Sequence, residues 1–363
     1  MSEREARKRA LLAEAGLADA RRVPLPGDAS TRTYERLVLP SGATLMLMDQ
    51  VAAAESAPCE PDWDEATRRA AGWNAMARLS AGRVEAFAAV AGFLRDRGLS
   101  APEIVAMDIP AGLAVIEDLG EGVYANLIAE GGADEPELYF GAVDALARLH
   151  AEPPPAVLAA GEARWDLLDY DAVALKAGAD LFVEWQPKLD PRLDIGEAAL
   201  AEWDAAWTPI VRRGAEGAAV VAHRDYHAEN LLWLPQRRGA ARVGMIDFQD
   251  AVRAHPSWDL HSLLQDARRD VAPELEAAAL ERYFAGRPGI DREAFMADYA
   301  ALAALNEVRI LGVFARLVHR DGKPRYRQFM PRMWRQVERN LPAPGLEAVR
   351  AWFERHVPRE LRG

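Results

Sequence analysis

The sequence predicts an α+β fold with two lobes, a small N-terminal lobe built on a mixed β-sheet and a larger, mainly helical C-terminal lobe. The chain has 363 residues, and compact domains usually contain about 100–200 residues, so two units are expected. Short alternating apolar segments with turns dominate the beginning of the chain, whereas helical periodicity dominates the remainder. We therefore place the boundary between the lobes at residue 120, giving lobes at residues 1–120 and 121–363.

The composition excludes several classes of protein. Hydrophobic residues make up 50% and charged residues 28% of the chain, as in ordinary globular proteins. No apolar run reaches the roughly 18 residues that a membrane-spanning helix needs. A formal charge of -12 has the wrong sign for a protein whose main partner is nucleic acid. The single cysteine, Cys59, cannot form an internal disulfide, and the first residues do not resemble a secretory signal, so we expect a cytoplasmic protein.

The first lobe contains two predicted hairpins and one long helix, preceded by an N-terminal helix. Alternating segments interrupted by turn residues indicate strands. The predicted strands lie at residues 28–39, 44–48, 104–107 and 113–117. Apolar residues at helical spacing predict a helix over residues 84–97, which Gly98 ends.

The second lobe consists of long helical patterns with one interruption. The predicted helices lie at residues 136–150, 165–178, 196–214, 256–267, 273–284, 292–317 and 331–340. Only residues 218–248 have the pattern of strands. This interruption also carries the most informative polar residues of the chain.

A group of polar residues gathers at one end of this strand region. A strand over residues 218–222 ends in the loop that carries Asp225. The next two apolar segments predict a hairpin that turns at residues 238–239, which places Asn230 opposite Asp247. Carboxylate and amide oxygens are the ligands that Mg²⁺ prefers. The sequence therefore predicts a divalent-cation site here.

This set of residues suits phosphoryl transfer, in which metal ions offset phosphate charge and a carboxylate accepts the proton of the acceptor hydroxyl. Asn230 and Asp247 fit the metal ligands, and Asp225 fits the base. His223 and His227 have the spacing of a zinc pair on a helix, but their strand-and-loop context argues against a zinc hydrolase.

The run His-Arg-Asp-x-His-x-x-Asn at residues 223–230, followed by Ile-Asp-Phe-Gln-Asp at residues 246–250, resembles the catalytic and metal loops of the aminoglycoside phosphotransferase and protein-kinase-like superfamily. The resemblance implies a two-lobed protein-kinase-like fold that uses ATP and Mg²⁺. It also implies that Ser30, Thr31 and Arg32 lie in the phosphate loop, and that Glu117 and Leu119 belong to the hinge that binds adenine. Ordinary turns remain the alternative for both segments.

One feature departs from that superfamily. The strand after the phosphate loop usually carries a lysine that contacts the phosphates, but residues 44–49 contain none. Arg32 and Arg36 are the two candidates to replace this cation, because both lie close to the loop in sequence. Glu85, the helix residue that would pair with the lysine, is then expected to be a solvated residue.

Residues 27–34, 181–185 and 320–326 resemble a narrower group, the anomeric kinases that phosphorylate N-acetylmuramate and N-acetylglucosamine at C1 during peptidoglycan recycling. The resemblance implies an amino-sugar substrate. Glu184, Trp185 and His227 are the candidate sugar contacts, with a core tryptophan as the alternative for Trp185. Basic residues in 320–326 are candidates to pair with the lactyl carboxylate of muramate, unless they serve only as a charged surface.

Two other functions remain open. The first is phosphorylation of an aminoglycoside or another small-molecule hydroxyl, for which the acceptor pocket should contain several converging carboxylates rather than a cation. The second is an inactive nucleotide-binding module, which the absent lysine would explain. For the amino-sugar kinase we expect the sugar and ATP as ligands, with no nucleic acid, membrane or obligate protein partner.

Overall fold

The computed structural model describes residues 2–26, 32–50 and 57–362. In chain order the helices are α1 (Glu3–Glu14), α2 (Glu65–Ala71), α3 (Trp73–Met76), α4 (Val84–Asp96), α5 (Tyr124–Ala129), α6 (Glu135–Leu149), α7 (Ala172–Leu189), α8 (Glu197–Glu216), α9 (Ser257–Leu264), α10 (Pro273–Gly286), α11 (Arg292–His319), α12 (Met330–Asn340) and α13 (Glu347–His356). The strands are β1 (Arg21–Pro24), β2 (Thr33–Val38), β3 (Thr44–Asp49), β4 (Ile104–Asp108), β5 (Leu113–Glu117), β6 (Val157–Ala160), β7 (Ala163–Asp166), β8 (Val220–Ala222), β9 (Leu231–Trp233), β10 (Val243–Met245) and β11 (Val252–Ala254). Among the described residues, no helix has both the length and the apolar character to cross a membrane.

Two compact units divide the chain. The first unit contains Met1–Leu149, Pro155–Leu167 and Ala228–Ala251, and the second unit contains His150–Pro154, Leu168–His227 and Val252–Gly363. These units follow the packing of the chain, whereas the predicted division at residue 120 follows the change from strand-like to helical sequence pattern. The predicted division stays a prediction.

A five-stranded sheet opens the first unit, with the strand order β1-β2-β3-β5-β4. Every neighbouring pair is antiparallel, so both predicted hairpins are confirmed and the sheet is antiparallel rather than mixed. Helix α1 covers one face through Leu11 and Leu12, which pack against leucines of β2, β3 and β5. Because side chains alternate along a strand, Tyr34 and Arg36 lie on the opposite face from Leu37.

Helix α4 is present where the sequence predicts it, and most of its side chains are buried. The hairpin of β6 and β7, which the sequence does not predict, packs against it. Gly92 permits this close approach, because a Cβ at that position would lie 2.4 Å from the Cβ of Ala160. The helix predicted over residues 165–178 is wrong at both ends. Its first residues belong to β7, and α7 begins after Asp171, whose side chain accepts a hydrogen bond from the N–H of Ala174, and continues to Leu189.

Helices α7, α8 and α11 form the core of the second unit, and α9, α12 and α13 pack around them. Phe182 of α7 stacks on Trp203 of α8 with 5.7 Å between ring centroids. Strands β8 and β11 form a short antiparallel ladder in the same unit. The remaining predicted helices of the second lobe are confirmed, with ends that differ by a few residues.

The contact between α7 and α11 depends on Gly312. A Cβ on Gly312 would lie 2.3 Å from the backbone carbon of Leu181 and 2.5 Å from the nitrogen of Phe182. Because backbone cannot move aside as a side-chain tip can, we expect Gly312→Ala to lower the free energy of unfolding by about 1–3 kcal/mol. Urea unfolding measures this loss.

Gly141→Ala is the matched control, because Gly141 also lies within a helix and its Cβ would have no neighbour nearer than 3.6 Å. Alanine is the better helix former, so this variant should be neutral or slightly stabilised. Equal urea midpoints for the two variants would contradict the packing described for Gly312.

Candidate active site

The hairpin of β9 and β10 positions Asn230 and Asp247 in the first unit. The N–H of Ile246 donates to the carbonyl oxygen of Asn230 at 3.1 Å, in continuation of the β9–β10 ladder. Asn230 thus lies opposite Ile246, and the predicted pairing with Asp247 is wrong by one residue. A short 3-10 helix over Gly239–Arg242 in the connection accounts for the shift, since the prediction assumed a tighter turn. Both residues still lie at the same end of the hairpin.

Asp247 has a backbone φ of +64°, a left-handed conformation that is rare outside glycine and concentrates at functional sites. Its Oδ1 accepts hydrogen bonds from Nη2 of Arg32 at 2.8 Å and Nε2 of Gln249 at 3.2 Å. Its Oδ2 accepts none from the described residues, and 44% of the side chain is exposed. An open carboxylate oxygen fits a hard cation.

The described residues contain no group of three or more His, Cys, Asp and Glu side chains that could hold a metal ion. A cation bound by Asp247 would therefore depend on the amide oxygen of Asn230 and on oxygens from water or phosphate. That donor set fits Mg²⁺, which usually keeps several waters and binds few carboxylates.

Arg32 is the cation that the structure places beside Asp247. Its guanidinium is buried and also donates to the hydroxyl of Tyr34 at 3.2 Å. Burial opposes its charge, but the neighbouring Tyr34 and Asp247 hold the pKa of Arg32 above the ordinary arginine value. The other two predicted phosphate-loop residues, Ser30 and Thr31, lie outside the described residues.

The positively charged side chains that contact the end of β3 belong to another element, helix α1. Asp49 at the end of β3 pairs with Arg4 and with Nζ of Lys8 at 2.6 Å. Glu85 of α4 is 9% exposed and pairs with Arg83, so its interpretation as a solvated residue is wrong. In the described ranges, Arg32 is the cation that contacts the predicted metal ligand.

Arg36, the other candidate, pairs with carboxylates that follow β5. Its Nε lies 2.8 Å from Asp118 Oδ2 and its Nη1 lies 2.7 Å from Glu121 Oε1. These pairs place Arg36 beside the predicted hinge rather than beside Asp247. Arg32 is thus the better candidate to replace the absent lysine.

The backbone N–H groups of Glu117 and Leu119 differ in their hydrogen bonding. The N–H of Glu117 donates to the carbonyl oxygen of Glu103 at 2.8 Å, and the Glu117 carboxylate pairs with Arg237. The N–H of Leu119 donates to no acceptor in the described part of the chain. An open backbone N–H suits a hydrogen bond to a purine, and the hinge role of both residues stays a prediction.

In the second unit, Asp259 holds the loop that carries Asp225. The buried Asp259 carboxylate accepts hydrogen bonds from the N–H of His223 at 2.6 Å and the N–H of Arg224 at 2.8 Å. Burial raises the pKa of Asp259 to about 7, while these two hydrogen bonds oppose the rise. Arg224 has a φ of +82°, a strained conformation that no sequence pattern indicates. Asp259 therefore anchors the loop immediately before Asp225.

A cavity in the second unit opens beside this loop. Its charged and titratable lining consists of Arg224, Asp225, His227, Asp266, Arg268 and Arg309. Helix α11 supplies one wall, with Asn306, Arg309, Ile310, Val313 and Phe314 at helical spacing. Asp225 and His227 thus line the same cavity. This arrangement is what the predicted roles of Asp225 as the base and His227 as a contact to the acceptor require.

The arginines of this cavity were not predicted from the sequence as site residues. Arg268 has its Nη1 3.4 Å from Nε2 of His227, and Arg309 lies within α11. Arginines on an amphipathic helix are common, so their spacing carries little information. The i, i+3 pair of Asn306 and Arg309 is the one local signal that links Arg309 to a polar neighbour.

Glu184 and Trp185 lie on α7 and are not among the described side chains that line this cavity. Glu184 pairs with Lys188 at 3.3 Å, and Nζ of Lys188 lies 4.0 Å from the centre of the Trp185 ring. The ammonium group of Lys188 thus covers a face of the Trp185 ring on which a sugar would have to stack. Their role in sugar binding stays a prediction.

Comparison with known proteins decides the family. The model of the APH family, described as the phosphotransferase enzyme family, matches residues 21–305. The chain belongs to this family. A protein of Caulobacter vibrioides named N-acetylmuramate/N-acetylglucosamine kinase is 57% identical to this phosphotransferase over 361 residues, which is 99% of each chain.

Solved structures support the fold of this phosphotransferase. A choline/ethanolamine kinase family protein from Mesorhizobium loti gives a TM-score of 0.55 at 16% identity, with coverage of 97% of this chain and 99% of that chain. An ADP-bound aminoglycoside phosphotransferase gives a TM-score of 0.50 at 14% identity, with coverage of 88% and 92%. At such identities the likeness shows the fold alone, and the predicted protein-kinase-like α+β fold is confirmed.

Proposed function

We propose that this phosphotransferase transfers the γ-phosphoryl group of ATP to the anomeric hydroxyl of N-acetylmuramate or N-acetylglucosamine, giving sugar 1-phosphates for peptidoglycan recycling. The observation that carries the proposal is the cavity that contains Asp225 together with cationic side chains. Full-length identity of 57% to a protein named for both sugars supports the substrate class. We expect the cytoplasm as the compartment, because ATP is available there.

Each role follows from the chemistry of the transfer. Asp225 accepts the proton of the C1 hydroxyl while the oxygen of that hydroxyl forms a bond to the γ-phosphorus. The bond between the γ-phosphorus and the oxygen that bridges it to the β-phosphorus breaks, and ADP is released. Asn230 and Asp247 are the residues that would hold Mg²⁺, which offsets the charge on the phosphates. Leu119 supplies an open backbone N–H for adenine, and Arg32 supplies the cation that β3 lacks.

The charge of the cavity distinguishes between acceptors. An aminoglycoside carries several positive charges and calls for converging carboxylates. The lining instead combines three arginines with two aspartates, one of which is the proposed base. This balance favours a neutral or anionic sugar.

A coupled ADP-release assay with N-acetylmuramate, N-acetylglucosamine, choline and kanamycin tests the proposal. We expect turnover with one or both amino sugars. Preference for kanamycin or choline would assign the chain to another branch of the family. No turnover with any acceptor, in the presence of nucleotide binding, would favour an inactive nucleotide-binding module.

Replacing Arg32 tests its role at the phosphates. We expect Arg32→Ala to raise the KM for ATP by about tenfold, since a charge-assisted hydrogen bond to phosphate contributes about 1.5–3 kcal/mol. Arg36→Ala is the comparison variant and should change the KM for ATP less. An unchanged KM in Arg32→Ala would contradict the assignment, provided that thermal unfolding shows a folded variant.

A further inference from the structure

Arg309 stands out in the cavity because no carboxylate of the described residues pairs with its guanidinium. Nε of Arg309 donates to Oδ1 of Asn306 at 2.9 Å. Its two Nη groups donate to no acceptor in the described part of the chain. Arg309 is half-buried at the wall of the cavity, so these donors remain available to a ligand that supplies an acceptor.

The orientation of Arg309 is fixed before any ligand arrives. Nδ2 of Asn306 lies 3.4 Å from Oγ of Ser262, and that hydroxyl donates to the carbonyl oxygen of Trp258 at 2.9 Å. The aliphatic part of Arg309 lies against Gly178 of α7, where a Cβ would come within 3.0 Å of its Cδ. These contacts hold the free edge of the guanidinium in place for bidentate binding.

The other cavity arginines are already engaged. The guanidinium of Arg224 lies 4.5 Å from the centre of the Tyr170 ring, and only 4% of this residue is exposed. The Nη1 atom of Arg268 lies 3.4 Å from Nε2 of His227. Arg320, in the basic segment at residues 320–326, pairs with Asp321 at 2.6 Å.

The surroundings of Arg309 define the group that it fits. Ile310 and Val313 follow it on the same wall of the cavity. An anion with a small apolar substituent therefore matches both the guanidinium and its neighbours. Of the two proposed substrates, N-acetylmuramate carries such a group, the lactyl ether with its carboxylate and methyl, whereas N-acetylglucosamine has a neutral hydroxyl at that position.

We propose that Arg309 binds the lactyl carboxylate and thereby sets the preference for N-acetylmuramate over N-acetylglucosamine. The inference rests on the proposed function and adds the residue that discriminates between the two sugars. Arg309 is a specificity residue in this assignment and takes no part in proton transfer.

Kinetics of Arg309→Gln with both sugars test the assignment. We expect kcat/KM for N-acetylmuramate to fall by about 10- to 100-fold, the loss expected for a charged hydrogen-bonded pair. The kcat/KM for N-acetylglucosamine should change less than about threefold, because this sugar has no carboxylate that Arg309 could bind. Arg309→Lys should recover part of the loss, since it keeps the charge without the bidentate geometry. Equal losses with both sugars, or no loss with N-acetylmuramate, would overturn the inference.

Arg292→Gln is the matched control, because Arg292 lies on the same helix, outside the cavity, and is largely exposed. It removes one positive charge and should leave the ratio of the two kcat/KM values unchanged. A shift of that ratio equal to the shift in Arg309→Gln would indicate a general charge effect and contradict a specific contact.

Calorimetric binding separates this inference from the proposed function. The probes are N-acetylmuramate and its neutral methyl ester. We expect the native chain to bind the acid more tightly than the ester and Arg309→Gln to lose this difference, whether or not phosphate is transferred. A native chain that binds both probes equally would overturn the role of Arg309, whereas absent turnover with retained discrimination would overturn only the proposed reaction.

Discussion

Asp225→Asn should lower kcat for the amino sugar by about 10²- to 10⁴-fold, the usual contribution of a general base. Asparagine has nearly the same shape but cannot accept the proton of the acceptor hydroxyl. The KM for ATP should change little, because we assign nucleotide binding to other residues. Steady-state ADP release at saturating sugar and ATP measures the effect.

Glu229→Gln is the matched control for this variant. Glu229 is an exposed acid in the same loop, and its replacement makes the same change of charge. It should keep kcat within about twofold of the native value, as surface substitutions usually do. Comparable rates for Asp225→Asn and the native chain would exclude Asp225 as the base.

Asp247→Asn should lower kcat by about 10²-fold or more and raise the Mg²⁺ concentration needed for half-maximal rate. The change removes the negative charge from the proposed metal ligand while it keeps one oxygen. It also removes the charged partner of the buried Arg32, so some loss of stability is expected. Rates over a series of Mg²⁺ concentrations, together with thermal unfolding, separate these effects.

Asp96→Asn provides the control for Asp247, because Asp96 is an exposed aspartate in the first unit. Its Mg²⁺ dependence should match that of the native chain. If Asp247→Asn kept the native Mg²⁺ dependence, Asp247 would not be a metal ligand.

The sequence predicts the polar loops well because their positions depend on short-range rules. Antiparallel pairing brings Asn230 and Asp247 to one end of a hairpin, and the prediction errs by one residue only because Gly239–Arg242 forms a 3-10 helix. The resemblance to kinase-like proteins adds the roles, which spacing alone does not supply.

Other features depend on tertiary contacts that no local pattern contains. The β6–β7 hairpin forms against α4, and its second strand has a sequence that fits a helix start equally well. The left-handed backbone of Arg224 depends on the packing around it, as does the position of Arg309, which has no carboxylate partner among the described residues. Asp225 lies in the second unit and Asn230 and Asp247 in the first, so their convergence on one ion stays a prediction.

Phosphorus NMR of the product tests the proposed reaction most directly. The native chain would be incubated with ATP, Mg²⁺ and N-acetylmuramate, and Asp225→Asn would be examined in parallel. We predict a sugar phosphate whose phosphorus couples to the anomeric proton, formed by the native chain and nearly absent with the variant. Phosphate on any other hydroxyl, or equal product from both proteins, would contradict transfer to C1 with Asp225 as the base.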